Sequence, residues 1–304
     1  MKGMQRMRKK YELTRITCKN DSGVVLHRIR ALTSISDNVK KGDLGGWIEK
    51  EENLSQDGNA WVSGDAQISG NARVFGNAYV YINARVYGDA HICDSAKVYG
   101  NAQVGGNAQI CGSAEVYGNA HVRGNAQVCG NAYVCDDAYV GGEAKAYGNA
   151  QVGGNAQICG SAQVYGDAWI EGCAGVTGKA EICGFAYVDG NAHVNGEAKV
   201  CGGAHVCGDA EIGGNAKIGR MEDYMVFRNC WSSGRYFTYT RSNKKWRVGC
   251  FYGTGEELIE KAYSDSETSG RCYKAIVKAI EEIEGVISGV QPKKLGKKSK
   301  RKGK

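Results

Sequence analysis

From Gly58 to Gly219 the chain keeps one six-residue rhythm. Each unit reads Gly, a mostly polar residue, Ala, a variable residue, Val or Ile, and a second variable residue. The third position is Ala in every unit. The fifth is Val or Ile in all but one, where Ala146 stands. The first is Gly except at Ile82, Asp94 and Asp136. Twenty-seven units follow one another with no insertion. In Ala-x-Val the two apolar side chains point to one face of a short strand and x points to the other. The Gly-Asn or Gly-Asp that follows supplies residues tolerant of positive φ, hence a corner. The pattern therefore predicts strands of about three residues separated by tight corners. Three such strands would close one coil of 18 residues.

Sorting the outward residues by threes gives three walls. The first carries Trp61, Tyr79, Lys97, Glu115, Tyr133, Gln151, Trp169, Tyr187 and His205. Beside it, Tyr81, Tyr99 and Tyr117 follow at corner positions of successive coils. Aromatic residues thus gather on one wall and its edge. They either brace neighbouring coils, as cross-strand pairs do, or form an interaction surface, because aromatics are enriched at interfaces. Another corner stacks Cys93, Cys111 and Cys129, and further on Cys183 and Cys201. Free Cys behaves as a small hydrophobe, so this ladder reads as corner filler with free thiols.

The flanks lose the rhythm. Residues 1–57 read as a basic segment and a small β cap, with Trp47 and Leu54 expected to cover the open end of the core. Residues 220–290 read as a small α+β domain. Tyr224-Met-Val-Phe, Tyr236-Phe-Thr-Tyr-Thr and Trp246-Arg-Val-Gly-Cys-Phe-Tyr suggest strands, with a turn at Ser242-Asn243-Lys244. Thr254-Gly-Glu-Glu257 is a capping box opening a helix through Tyr263. A second helix is expected over about 269–284, with Tyr273, Ile276, Val277, Ile280 and Ile283 on one stripe. Residues 291–304 form a basic tail expected to be disordered.

Composition sharpens this picture. The chain has 304 residues, 45 Gly and a single Pro. Collagen is excluded, because it needs Gly every third residue and abundant Pro. The net charge is +7. Lys293, Lys294, Lys297, Lys298, Lys300, Arg301, Lys302 and Lys304 carry eight positive charges, so the remainder sums to −1. Any pull on nucleic acid resides mainly in that tail, which makes weak nucleic-acid contact a third functional reading. No apolar run is long enough for a membrane span or a signal peptide, so a cytoplasmic, reduced-thiol protein is expected. No membrane partner follows from the sequence.

The repeat from Gly58 to Gly219 resembles the hexapeptide-repeat family. That resemblance implies a left-handed parallel β-helix of triangular section, hence a mainly β fold of about nine coils, stacked at roughly 4.8 Å into a rod roughly 43 Å long. The leader YELT…LHRIRAL…VKKGDLGGWIEKEENLSQDGNAWV resembles that of bacterial and prophage-borne hexapeptide proteins of an acyltransferase-like kind. The resemblance also implies a trimer, and for the enzymes of the family a His base in a cleft between subunits. Candidates for such a base are His91, His121, His193 and His205, all at outward strand positions. None lies beside an extruded loop, so no pocket for an acyl carrier is evident. Gly253-Thr-Gly-Glu-Glu lacks the Gly-Lys-Ser/Thr ending of a phosphate-binding loop. No Cys-x-x-Cys occurs, so no zinc ribbon is expected.

The expectation is a non-catalytic scaffold with no cofactor and no metal. Its binding wall is Trp61, Tyr79, Tyr81, Tyr99, Tyr117, Tyr133, Trp169 and Tyr187, used for self-association or for a protein partner. A trimeric acyltransferase using acyl-CoA is the alternative.

Overall fold

The computed structural model describes residues 9–229 and 234–289. The repeat forms a β-solenoid of twenty-seven two-residue strands, from Trp61–Val62 to Lys217–Ile218. They stack as three parallel sheets, each rung in register with the residue 18 positions on, as in Lys97↔Glu115. Every inward Ala and every inward Val, Ile or Ala146 of the coils is buried. The corner position holds the left-handed conformation throughout. At Gly112, with φ 67°, an added Cβ would lie 2.7 Å from the Gly130 carbonyl oxygen of the next coil. Ile82, Asp94 and Asp136 take the same conformation at φ 65°, 58° and 56°. The two Asp side chains gain a partner there, accepting from Gly112 N at 2.9 Å and Gly154 N at 3.0 Å. Ile82 has no such compensation.

Before the first regular coil, β1 (Tyr11–Lys19), β2 (Val25–Ala31) and β3 (Leu44–Ile48) form an antiparallel meander. β3 then joins the second wall in parallel, pairing Trp47↔Gln67 and Ile48↔Ile68. Leu54 bridges Val74 on the third wall. This irregular turn brings the solenoid to about ten turns. Leu54 is buried in the core as expected, but Trp47 is not a lid. It faces outward, with the Arg28 guanidinium 4.8 Å above its ring and its Nε1 donating to Asp65. Tyr11, Ile29, Ile48 and Leu54 close the core instead. Tyr11 also meets Trp61 edge-on, with ring centroids 6.4 Å apart. Trp61 is consequently only 2 % exposed, so it is part of the closed end and not of an accessible wall.

The coils are polar along the stack. At the outward strand positions and the corners, N–H groups donate to a carbonyl one coil later, as Trp61 N does to Ala78 O and Ser63 N to Val80 O. The inward Val or Ile of each rung, in the register of a parallel ladder, donates back to the coil before. The first coil is therefore left mainly with carbonyls that have no earlier coil to serve them and the last mainly with N–H groups that have no later coil, and buried groups of either kind need partners. At the first coil, Lys10 Nζ donates to Ala60 O (2.8 Å), Trp47 N to Ala66 O (2.9 Å) and Asn53 Nδ2 to Ala72 O (2.8 Å). At the last coil three hydroxyls accept. Tyr224 takes Cys207 N–H at 3.3 Å, Thr238 takes Glu211 N–H at 3.0 Å and Ser242 takes Lys217 N–H at 2.7 Å. Glu49 N and Ser55 N add bonds to Ile68 O and Val74 O of the first coil, so each end has at least one partner group per wall.

The strands Tyr224–Arg228 and Tyr236–Thr240 pair antiparallel and carry two of these hydroxyls, Tyr224 and Thr238. They belong to the same compact unit as the solenoid, which extends to Asn243. The unit boundary therefore lies beyond the Gly219 at which the repeat ends. Ser242, Asn243 and Lys244 fall in a turn.

The second compact unit begins at Lys244. Its strands Lys245–Val248 and Phe251–Gly253 form an antiparallel pair. α1 (Gly255–Asp265) opens on the predicted capping box, with Thr254 Oγ1 accepting from Glu257 N and Glu257 accepting from Thr254 N. α2 runs over Glu267–Ile287, longer at both ends than its apolar stripe indicates; Ser266 caps its start, its side chain accepting from Ser269 N. Gly270 of α2 sits against the Tyr263 ring, where a Cβ would come within 2.2 Å. Val277 and Ile280 are buried, whereas Ile283 is exposed. No helix among the described residues is long and apolar enough to cross a membrane.

Candidate functional site

The first wall divides into two segments of different character. In the first, Tyr79, Tyr81, Tyr99 and Tyr117 form a continuous ladder with centroids 4.8, 4.7 and 5.0 Å apart. Coil spacing places parallel rings at stacking distance, so each ring face is covered by the next. Lys97 and Tyr99 both hold Glu115 at 2.9 Å. Desolvation raises the Glu115 pKa, but hydrogen bonds from Lys97 and Tyr99 overcome it, leaving the carboxyl below its ordinary range. Burial, then Cys135 beside it, pushes the Tyr117 phenol up to about 12. Burial and the Glu115 contact push Tyr99 up as well. These phenols stay protonated at neutral pH, and their rings are largely used in bracing the coils.

The second segment is open. Tyr133 is exposed on its own. Trp169 then stacks toward Tyr187 at 5.3 Å, and Tyr187 toward His205 at 4.8 Å. Trp169 is 46 % exposed, and the adjacent corner presents Phe185 at 74 %. Burial, then the Glu171 carboxylate accepting from its hydroxyl at 2.9 Å, pushes Tyr187 up to about 12. This segment joins free apolar ring surface to an acidic edge of Glu171 and Asp189. The outward pattern alone does not single out Phe185. The signal for it is its place in the unit: at that position of the same stack, seven coils carry Asn59, Asn77, Ser95, Ser113, Asn131, Asn149 and Asp167.

The four candidate histidines are dispersed. His91 lies on the third wall, edge-on to Phe75 at 6.1 Å. His193 lies on the second wall, folded over Gly175, where an added Cβ would sit 2.5 Å from its Nδ1. His121 shares that wall and contacts Arg123 through Nδ1 at 3.1 Å. Burial, then the Arg123 charge, lowers its pKa. His205 is on the first wall, with Nε2 3.2 Å from the Asp189 carboxylate. Within one chain the fold does not gather these imidazoles around one centre.

Two further features follow from stacking. The β1–β2 turn folds onto the second wall, where Asp21 pairs with Arg85. An open cleft of about 470 Å³ lies there, lined by Asp21, Glu49, Arg85, Tyr87 and Gln103 among others. The cysteine corner departs from the expected free thiols. Cys111 is joined to Cys129 and Cys183 to Cys201, while Cys93 stays free. Stacked coils set the bonded Cα atoms 4.7 and 4.5 Å apart, within the disulfide range of about 4.4–6.8 Å. Tyr147 and Tyr165 continue the same corner, stacked at 5.0 Å.

The basic tail residues Lys293, Lys294, Lys297, Lys298, Lys300, Arg301, Lys302 and Lys304 lie outside the described residues.

No curated protein matches the chain. Residues 66–82, about one coil, match the family model described as the YdcK beta solenoid repeat, so the chain is similar there to β-solenoid repeat proteins.

Proposed function

We propose that the protein is a non-catalytic scaffold whose first wall mediates self-association or holds a protein partner. The observation that carries this reading is the open segment at Trp169, Phe185 and Tyr187. Three large apolar side chains stand close together on a rung array whose backbone is fixed by neighbours on both sides. A rigid surface loses little conformational entropy on binding, so apolar burial there converts efficiently into affinity. Each fully buried aromatic contributes about 1.5–3 kcal/mol. Association through parallel copies, with a trimer as the first expectation, is the form we favour. The unbroken coils and the dispersed histidines make this reading stronger than acyl transfer. Of the four, His121 has the best claim to a base, because its rung adjoins Gln103 at the cleft.

Sedimentation equilibrium of the full chain, beside a Trp169→Ser/Phe185→Asn double variant, tests the proposal. The Phe185→Asn change restores the residue common at that corner, so the coils should be undisturbed. The expected result is an oligomer that falls apart at least tenfold more readily in the variant, with no acyl-CoA binding by titration calorimetry. An unchanged oligomer in the variant would shift the contact to another face. Saturable acyl-CoA binding lost in His121→Ala would replace the scaffold reading with the enzyme.

A further inference from the structure

The geometry points to a metal site at the C-terminal end of the first wall. Its ligands are Asp189, His205 and Cys207, and its occupant is a divalent ion of the zinc class. The three residues come from two successive coils. Asp189 stands at a corner, His205 on the outward face one coil later, and Cys207 at the corner directly above Asp189. One ligand atom from each lies within 4.8 Å of the other two. All three side chains are partly buried, which leaves the cluster reachable from solvent.

The distances suit a small tetrahedral ion. With Zn–N and Zn–O near 2.0–2.2 Å, an imidazole nitrogen and a carboxylate oxygen on one ion lie about 3.3 Å apart. His205 Nε2 and Asp189 Oδ1 are 3.2 Å apart already. With Zn–S near 2.3 Å, the thiolate belongs about 3.5 Å from either partner. The three ligand atoms lie within 4.8 Å of one another, so the Cys207 sulfur needs to close by about 1.3 Å at most, within reach of a side-chain rotation. The donor set also selects the ion. One thiolate and one imidazole favour zinc or a similar borderline metal over calcium or magnesium, which prefer oxygen ligands alone. On binding, the Cys207 thiol releases its proton to solvent and coordinates as thiolate, while His205 coordinates as neutral imidazole.

The surroundings hold these ligands in place. Tyr187 stacks on the His205 ring at 4.8 Å and 24°, and Glu171 anchors the Tyr187 hydroxyl. Tyr224 donates to His205 O at 3.1 Å, accepts from Cys207 N and lies 3.8 Å from the Cys207 sulfur. One hydroxyl therefore fixes the backbone between the two ligands, on either side of Val206. Supporting contacts of this kind orient the ligands of protein metal sites. Three protein ligands leave the fourth tetrahedral position for water or for a group brought by a partner. The ion would staple the last two coils at the end where the solenoid has its fewest neighbours. Nothing in this site depends on whether the open aromatic segment binds a partner.

Titration of the full chain with Zn²⁺ and with Co²⁺ tests the site. The wild type should bind one equivalent, and the Co²⁺ form should show a thiolate-to-cobalt charge-transfer band with tetrahedral d–d absorption. Cys207→Ser, which nearly preserves side-chain size, should abolish the charge-transfer band and weaken Zn²⁺ binding at least tenfold. Asp189→Asn should weaken binding tenfold or more and keep the band. Zinc should raise the melting temperature of the wild type and not of Cys207→Ser. Circular dichroism of both variants should match the wild type. The proposal is overturned if the wild type binds no zinc, or if Cys207→Ser retains the full band and affinity, which would place the metal on other cysteines.

Discussion

The two ends of the solenoid face opposite problems. The N-terminal end presents mainly carbonyls and is closed by donors: an ammonium, backbone N–H groups and a side-chain amide. The C-terminal end presents N–H groups and is closed by the hydroxyls of Tyr224, Thr238 and Ser242. The difference follows from the coil's repeat, in which the outward and corner N–H groups, the majority of those that reach a neighbouring coil, donate in one direction. It means that the two caps cannot be exchanged, although both cover cross-sections of the same Ala and Val core. It also means that the ends differ chemically. One includes a desolvated charge, whereas the hydroxyls at the other are neutral, and that of Tyr224 also donates to His205 O.

The largest expected effect is at the donor end. Asn53 is fully buried, donates to Ala72 O and Gly70 O, and accepts from Lys50 N. Asn53→Ala should cost about 3 kcal/mol, since three hydrogen bonds are lost around buried groups. Urea denaturation measures the loss, and hydrogen exchange should place it in the first coils. Thr238→Val leaves the Glu211 N–H without its hydroxyl and should cost about 1–2 kcal/mol, with faster exchange confined to the last coil. Equal spread of exchange along the whole rod in either variant would break the distinction between the ends.

A reference lies between them. Ile82→Gly relieves a β-branched residue at φ 65° and should stabilise the chain by about 1 kcal/mol, after the entropy of glycine is counted. Its effect should leave protection at both ends unchanged.

The smallest effect is the most diagnostic. Burial lowers the Lys10 pKa to about 8, against an opposing pull from Asp57. Between about pH 8 and 10.5 the unfolded chain binds the proton that the folded chain has lost, so this residue's contribution to stability rises with pH across that window. The difference in urea midpoint between wild type and Lys10→Met should therefore move in favour of wild type from pH 8 to pH 10. Thr238→Val should show no such trend. A flat difference for Lys10→Met would remove the charged donor from the account of the N-terminal end.

The solenoid was legible because its contacts are periodic. A residue and its neighbour 18 positions on occupy the same place, so one unit read correctly gives every wall, and Tyr81, Tyr99 and Tyr117 could be stacked from the sequence alone. The capping box at Thr254 was legible because it is local. Trp61 was misplaced because its outward position follows the period, while the Tyr11 ring that covers it comes from outside the period. Phe185 was visible only as a departure from the usual Asn, Asp or Ser at its corner. The cysteine corner reads as free thiols only because a reducing compartment is expected; the stacking of coils by itself brings Cys111 to Cys129 and Cys183 to Cys201 within disulfide reach.

By itself, then, the sequence determined the coil, its interior, its corners and the identity of each wall. These are interactions between a residue and its immediate neighbours in the chain or in the stack, and the repeat writes them out every six residues. The tertiary structure alone decided how each end is sealed, which aromatics remain accessible, and that Asp189, His205 and Cys207 meet. Those outcomes depend on non-repeating segments folding back over the ends and on side chains of different coils converging. No periodic pattern encodes such contacts, because each occurs once.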